Sequence, residues 1–103
     1  MIEKDDETFL PWAKENYACV IFNLLVTNSG LGKLAAADTF RALIDASIDL
    51  GGSYYLTYHK WARKDQVLAC YPQMPAFFEK KAKYDPNLVF QSDWYRHQHQ
   101  LLS

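Results

Sequence analysis

At 103 residues the chain has room for one domain and not for two. Half of its residues are hydrophobic and 16% are aromatic, which excludes the disordered class and supports a packed core. With 11 basic residues against 12 acidic ones, no preference for nucleic acid or for an anionic membrane surface follows.

The opening Met1-Ile2-Glu3-Lys4-Asp5-Asp6-Glu7 is highly charged and reads as a tail. Tyr17 to Thr27 is rich in strand formers and ends at the turn signal Asn28-Ser29-Gly30, so one long strand is predicted. Leu34 to Leu50 follows as a helix. Ala36, Phe40, Leu43, Ile44 and Ser47 share one stripe, with Arg41, Asp45 and Asp49 outside it. Gly51-Gly52 ends that helix, because glycine accepts the left-handed conformation at a helix C-terminus.

Ser53 to His59 reads as a second strand, with Tyr55, Thr57 and His59 on one face and Tyr54, Leu56 and Tyr58 on the other. Lys64 to Tyr71 is a short helix with Asp65 in its first turn, ended by Pro72. Pro75 opens the next helix, to Lys83. Asp85-Pro86-Asn87 is a turn, and Ser92 caps a last helix through Trp94 and Tyr95. Strand, helix, strand, then helices is an α+β pattern: a small sheet with flanking helices. A crossover helix between the strands makes them parallel and right-handed.

Cys19 and Cys70 match no metal or redox spacing and read as two buried thiols in a reducing compartment. No signal peptide is present. The longest apolar stretch, Cys19 to Val26, is broken by Asn23 and is too short to span a bilayer. The cytoplasm is the expected location.

Three local motifs invite chemistry. Gly30-Leu31-Gly32-Lys33 lies between a strand and a helix, yet lacks the spacing of a phosphate loop and reads as a connection. His97 and His99 fall on different helix faces with no third ligand nearby, so no metal site is expected and a solvated tail is. The segment Gly52 to Arg63 gathers Tyr54, Tyr55, Tyr58, His59, Lys60, Trp61 and Arg63. Phenols, imidazole and amine are proton-transfer and anion-stabilising groups, although aromatic side chains on a half-buried strand also serve simply as packing.

Gly51-Gly52-Ser53-Tyr54-Tyr55-Leu56-Thr57-Tyr58, then Tyr71-Pro72-Gln73, then Phe78 to Tyr95 with its Lys81-Ala82-Lys83-Tyr84-Asp85-Pro86-Asn87-Leu88-Val89-Phe90 run, carry a family resemblance. Together with Phe9-Leu10-Pro11-Trp12-Ala13, they resemble the C-terminal end of FAD-linked oxidases of the vanillyl-alcohol oxidase type. Sugar, lactone and alditol oxidases and decaprenylphosphoryl-ribose oxidase are of that kind. The resemblance implies one C-terminal fragment, residues 1–103, of a substrate or cap domain that covers the flavin. The FAD-binding domain is absent and belongs upstream or in a separate chain.

The resemblance further implies that Tyr55 and Tyr58 face the flavin or substrate as catalytic positions. Relatives carry a lysine where Tyr58 stands, and Lys60 or His59 is the candidate to restore that charge. Tyr17 and Cys19 fall at positions that border substrate. The implied reaction is oxidation of an alcohol or sugar-like substrate, with hydride passing to FAD, and this chain alone is expected to be inactive. A homodimer is the expected assembly, since a two-strand sheet leaves open edges. The alternative is a free-standing interaction or ligand-binding module that has lost flavin chemistry.

Overall fold

The computed structural model describes residues 1–103 and contains four helices: α1 (Gly30–Asp49), α2 (Lys64–Cys70), α3 (Met74–Tyr84) and α4 (Asp93–Leu102). Their ends obey local chemistry. The Ser29 hydroxyl accepts from Gly32 N–H at 3.0 Å and starts α1 at Gly30, four residues before the predicted start at Leu34. Gly51, at φ 72°, turns the chain out of α1. Pro75 lies in the first turn of α3, and the Ser92 hydroxyl caps α4 by accepting from Tyr95 N–H at 3.1 Å.

There is no sheet, so the α+β class with strand-helix-strand pairing is overturned: the fold is all-α. The only antiparallel bridge pairs Ile2 with Tyr17, which ties the charged N-terminus to the body where a free tail was expected. The physical reason lies in pairing. Neither predicted strand forms: the second is broken by a turn at Leu56–Tyr58, and neither segment makes a ladder within the chain. A strand's stability resides in cross-strand pairs, and local propensity alone makes no sheet.

The second extended segment meets its hydrogen-bonding needs in another way. Ser53 C=O accepts from the Ser47 hydroxyl at 2.9 Å and Tyr54 C=O from the Tyr71 hydroxyl. Leu56 C=O accepts from the Trp94 indole at 3.2 Å, and Trp61 C=O from Arg41 at 2.7 Å. Alternation survives from Tyr54 to Thr57: Tyr54 and Leu56 are buried, Tyr55 and Thr57 exposed. A turn at Leu56–Tyr58 then throws Tyr58 outward and His59 inward, opposite to the faces predicted for them.

The core gathers Ile44 of α1, Tyr54, Leu56 and Ala62 of the connecting segment, Val67 and Cys70 of α2, then Tyr71 and Met74. Leu10, Trp12, Phe77, Phe78 and Trp94 close around it. Gln66 is buried beneath α1 and donates to Arg41 C=O at 2.8 Å and to the Asp45 carboxylate at 2.7 Å. α4 is docked, where a solvated tail was expected: Gln98 is buried and the His99 ring packs on Phe78 at 5.6 Å. Cys70 is buried and burial pushes its thiol pKa up, while Cys19 is exposed, against the expectation of two buried thiols.

Only 13 of 103 residues are buried, and the radius of gyration is 14.9 Å, against about 13 Å for a self-contained domain of this size. The molecule is a slab 19 Å thick along its shortest axis. Such a shape leaves apolar surface uncovered on its broad faces. No helix is long and apolar enough to cross a membrane.

Candidate functional site

The segment that carries Tyr55 and Tyr58 begins at Gly51-Gly52, where the chain turns out of α1. Gly52 N–H donates to Ser47 C=O at 2.7 Å, and a Cβ on Gly52 would meet the Ser47 hydroxyl at 2.7 Å. The chain therefore folds tightly back over the end of α1 and launches Ser53 to Leu56 across the core.

Tyr55 emerges on the outer side of that segment. Its ring meets Trp12 edge-on at 5.6 Å and Tyr58 at 5.1 Å, so the three rings form a ladder along the surface. Tyr55 is half exposed and Tyr58 is 86% exposed. Both lie outside the two principal clefts, of about 220 Å³ and about 370 Å³. The Tyr17 hydroxyl donates to Gly51 C=O at 2.9 Å, which anchors Tyr17 at the same end of α1.

Beneath the ladder lies Tyr71. Burial raises its phenol pKa, and the neighbouring Cys70, Tyr55 and Tyr17 push it the same way. A hydrogen bond with Ser53 opposes the rise. Tyr54, whose ring meets Tyr71 edge-on at 5.8 Å, also has its pKa raised, chiefly by burial. Both buried phenols stay protonated at neutral pH.

His59 and Lys60 part from this group. The His59 ring stacks near Phe40 at 4.5 Å and Trp61 at 5.3 Å, and burial pushes its pKa below 6.5. It is largely neutral near pH 7 and supplies no fixed charge. Lys60 is exposed and helps hold the Asp93 carboxyl below its ordinary range, after the larger effect of Arg96. Of the two candidates for the charge that Tyr58 lacks, Lys60 alone is cationic. Cys19 stands on the uncovered strand, exposed and unbonded.

Two features escaped the sequence reading. Trp12 opens the aromatic ladder, and only its place in the Phe9-to-Ala13 resemblance marked it. Arg63 grips Asp45 at 2.9 and 3.3 Å and Asp65 at 3.1 Å, which lowers both carboxyl pKa values. Asp45, Arg63 and Asp65 were each visible in the sequence, but nothing there paired them.

Gly32 is required because a Cβ there would fall on the carbonyl oxygen of Thr27, and its N–H is already used by Ser29. Gly30 to Lys33 is thus the Ser29-capped first turn of α1, where a connecting loop was expected, and it is closed to a pyrophosphate by that cap. Comparison with family models, with curated proteins and with solved structures found no match. The flavoenzyme resemblance thus rests on the quoted residues alone.

Proposed function

We propose that the chain is the C-terminal part of a FAD-dependent oxidoreductase acting on an alcohol or sugar-like substrate. In this reading the flavin supplies the hydride acceptor, while this chain supplies orientation and a wall of the site. The observation that carries it is the run Trp12–Tyr55–Tyr58: an indole and two phenols in edge-on and tilted contact at 5.6 and 5.1 Å, with Tyr55 half exposed and Tyr58 exposed. An aromatic wall facing water is completed only by a second body, and flat π-systems are its natural counterpart.

The loose shape of the slab supports the same reading, since a domain that closed its own site would bury more. Tyr55 and Tyr58 are the residues placed to touch a bound ring or substrate, Tyr17 lies beside them, and Lys60 is the nearby cation. The test is to purify the longest native product containing this chain and record its visible spectrum. Bound flavin absorption that bleaches on adding a polyol or sugar lactol supports the proposal. A native product that ends at these 103 residues and carries no flavin overturns it.

A second reading, a free-standing interaction module, is favoured by the loop after α3. There the Asp85 carboxylate accepts from Val89 N–H at 2.8 Å and Phe90 N–H at 3.0 Å and pairs with Lys81. That well-tied loop holds Leu88, Val89 and Phe90 in water, with Leu88 at a φ of 53°. The same spectrum decides between the two readings.

A further inference from the structure

The first extended segment makes no backbone hydrogen bond between Tyr17, bonded to Ile2, and Thr27, whose C=O accepts from Ser29. Every residue from Ala18 to Gly30 is exposed. Exposure nevertheless alternates as in a formed strand. Val20, Phe22, Leu24 and Val26 are 68%, 51%, 38% and 36% exposed, while Ile21 and Leu25 are 79% and 101% exposed. Leu24, Leu25 and Thr27 line a cleft with Ala35, Ala36 and Thr39 of α1. Ile21 and Leu25 are nevertheless the most exposed of the segment's large apolar residues.

We propose that this strand pairs with the same strand of a second copy, antiparallel, about a two-fold axis at Asn23. The sequence around Asn23 reads alike in both directions: Phe22 mirrors Leu24, Ile21 mirrors Leu25, and Val20 mirrors Val26. Centred there, every large apolar residue faces an apolar residue of the second copy, and the Asn23 amide meets its own counterpart. A slip of one residue sets Phe22 against Asn23 and mixes even with odd positions. A slip of two sets Asn23 against Ile21 or Leu25. Register follows the hydrophobic pattern wherever a face is to be covered, so the centred pairing is selected.

Other features favour the same occupant. No charged residue occurs between Glu15 and Lys33, so no like-charge contact opposes approach. Open N–H and C=O groups template strand addition. In the centred pairing Ile21 of one copy stands directly beside Leu25 of the other, and Phe22 beside Leu24, at cross-strand contact distance. Identical chains most often associate through a two-fold axis, and here it makes a self-complementary strand its own partner. The proposal is independent of the flavin reading: a dimer without flavin, or flavin without a dimer, separates the two.

The test uses the full chain with Cys19→Ser and one new cysteine at a time. Under air oxidation Asn23→Cys is expected to cross-link copies at least tenfold faster than Ile21→Cys or Leu25→Cys. A mixture of those last two chains is expected to cross-link to each other. Wild-type Cys19 is expected to stay unlinked, because in this register the two copies' Cys19 positions lie roughly 27 Å apart. Sedimentation equilibrium should show a dimer at micromolar concentration, weakened at least tenfold by Ile21→Lys with the helical circular dichroism unchanged. Sedimentation as a monomer at high micromolar concentration overturns the proposal. So does cross-linking through position 23 that is no faster than through 21 and 25.

Discussion

Replacing Tyr71 by Phe removes one oxygen atom from the centre of the molecule and leaves the ring in place. Tyr71 is 1% exposed, and its hydroxyl donates to the carbonyl of Tyr54 in a segment with no strand partner. The substitution leaves that carbonyl buried with no donor. An orphaned buried acceptor costs about 1–3 kcal/mol, so about 2 kcal/mol is expected. For a domain of about 100 residues that corresponds to a fall of about 10 °C in the melting temperature. The edge-to-face contact with Tyr54 persists, so no cavity contribution adds to it. Urea unfolding followed by circular dichroism measures the difference, and the dependence on urea should be unchanged. A loss below about 0.5 kcal/mol would refute the view that side-chain donors replace a missing sheet here.

Titration calorimetry of this chain with FAD should show no sub-micromolar site, since Gly32 serves the turn and no pyrophosphate cradle exists. In the flavin-containing protein, Tyr55→Phe should slow flavin reduction about a hundredfold in stopped flow with an unchanged melting temperature, because the phenol is half exposed. His59 titrates below 6.5 in the fold, so its neutral form is favoured there: its stabilisation is full above pH 6.5 and lost as pH falls through the folded value. An NMR titration of the imidazole, with melts from pH 7.5 down to 5, checks both. Gly51→Ala, at φ 72° with open space around it, should cost about 1 kcal/mol through backbone strain alone in denaturant melts.

The parts of this fold that were legible in the sequence are those decided within a few residues. Ser92, Pro75 and Gly51 act on their own helix turns, and the helices stop and start where those residues put them. Ala36 and Ile44 face inward because a 3.6-residue repeat fixes the stripe before anything packs on it. The start of α1 was misplaced because Gly30 and Gly32 look like loop, although Ser29 was a usable cap signal.

Strand pairing was not legible, because it belongs to whichever chain lies alongside. Tyr17 to Thr27 and Ser53 to His59 carry strand-forming side chains, yet a ladder needs a second edge that these residues cannot specify, and neither becomes a strand. For the site, Tyr55 was legible from alternation, whereas Tyr58 and His59 were not. The turn at Leu56–Tyr58 inverts them, and it depends on the Trp94 indole reaching Leu56 from α4. The burial of Gln66 is likewise settled by Arg41 and Asp45, distant in sequence.

The segment from Ser53 to Trp61 is bonded through its carbonyls to side chains of Ser47, Tyr71, Trp94 and Arg41, while the N–H groups from Ser53 to Lys60 have no backbone acceptor. In hydrogen–deuterium exchange this makes an unusual signature. The amides of Tyr54 and Leu56 should exchange quickly although their side chains lie in the core, and their speed should say nothing about global opening. The slow amides belong to α1 and α2, so the centre of the molecule is fast at its backbone and rigid at its side chains. Because its four tethers come from α1, the end of α2 and α4, the segment locks only after those helices have met. Labelling during refolding should therefore find the helices protected first and the Trp94 indole N–H protected last.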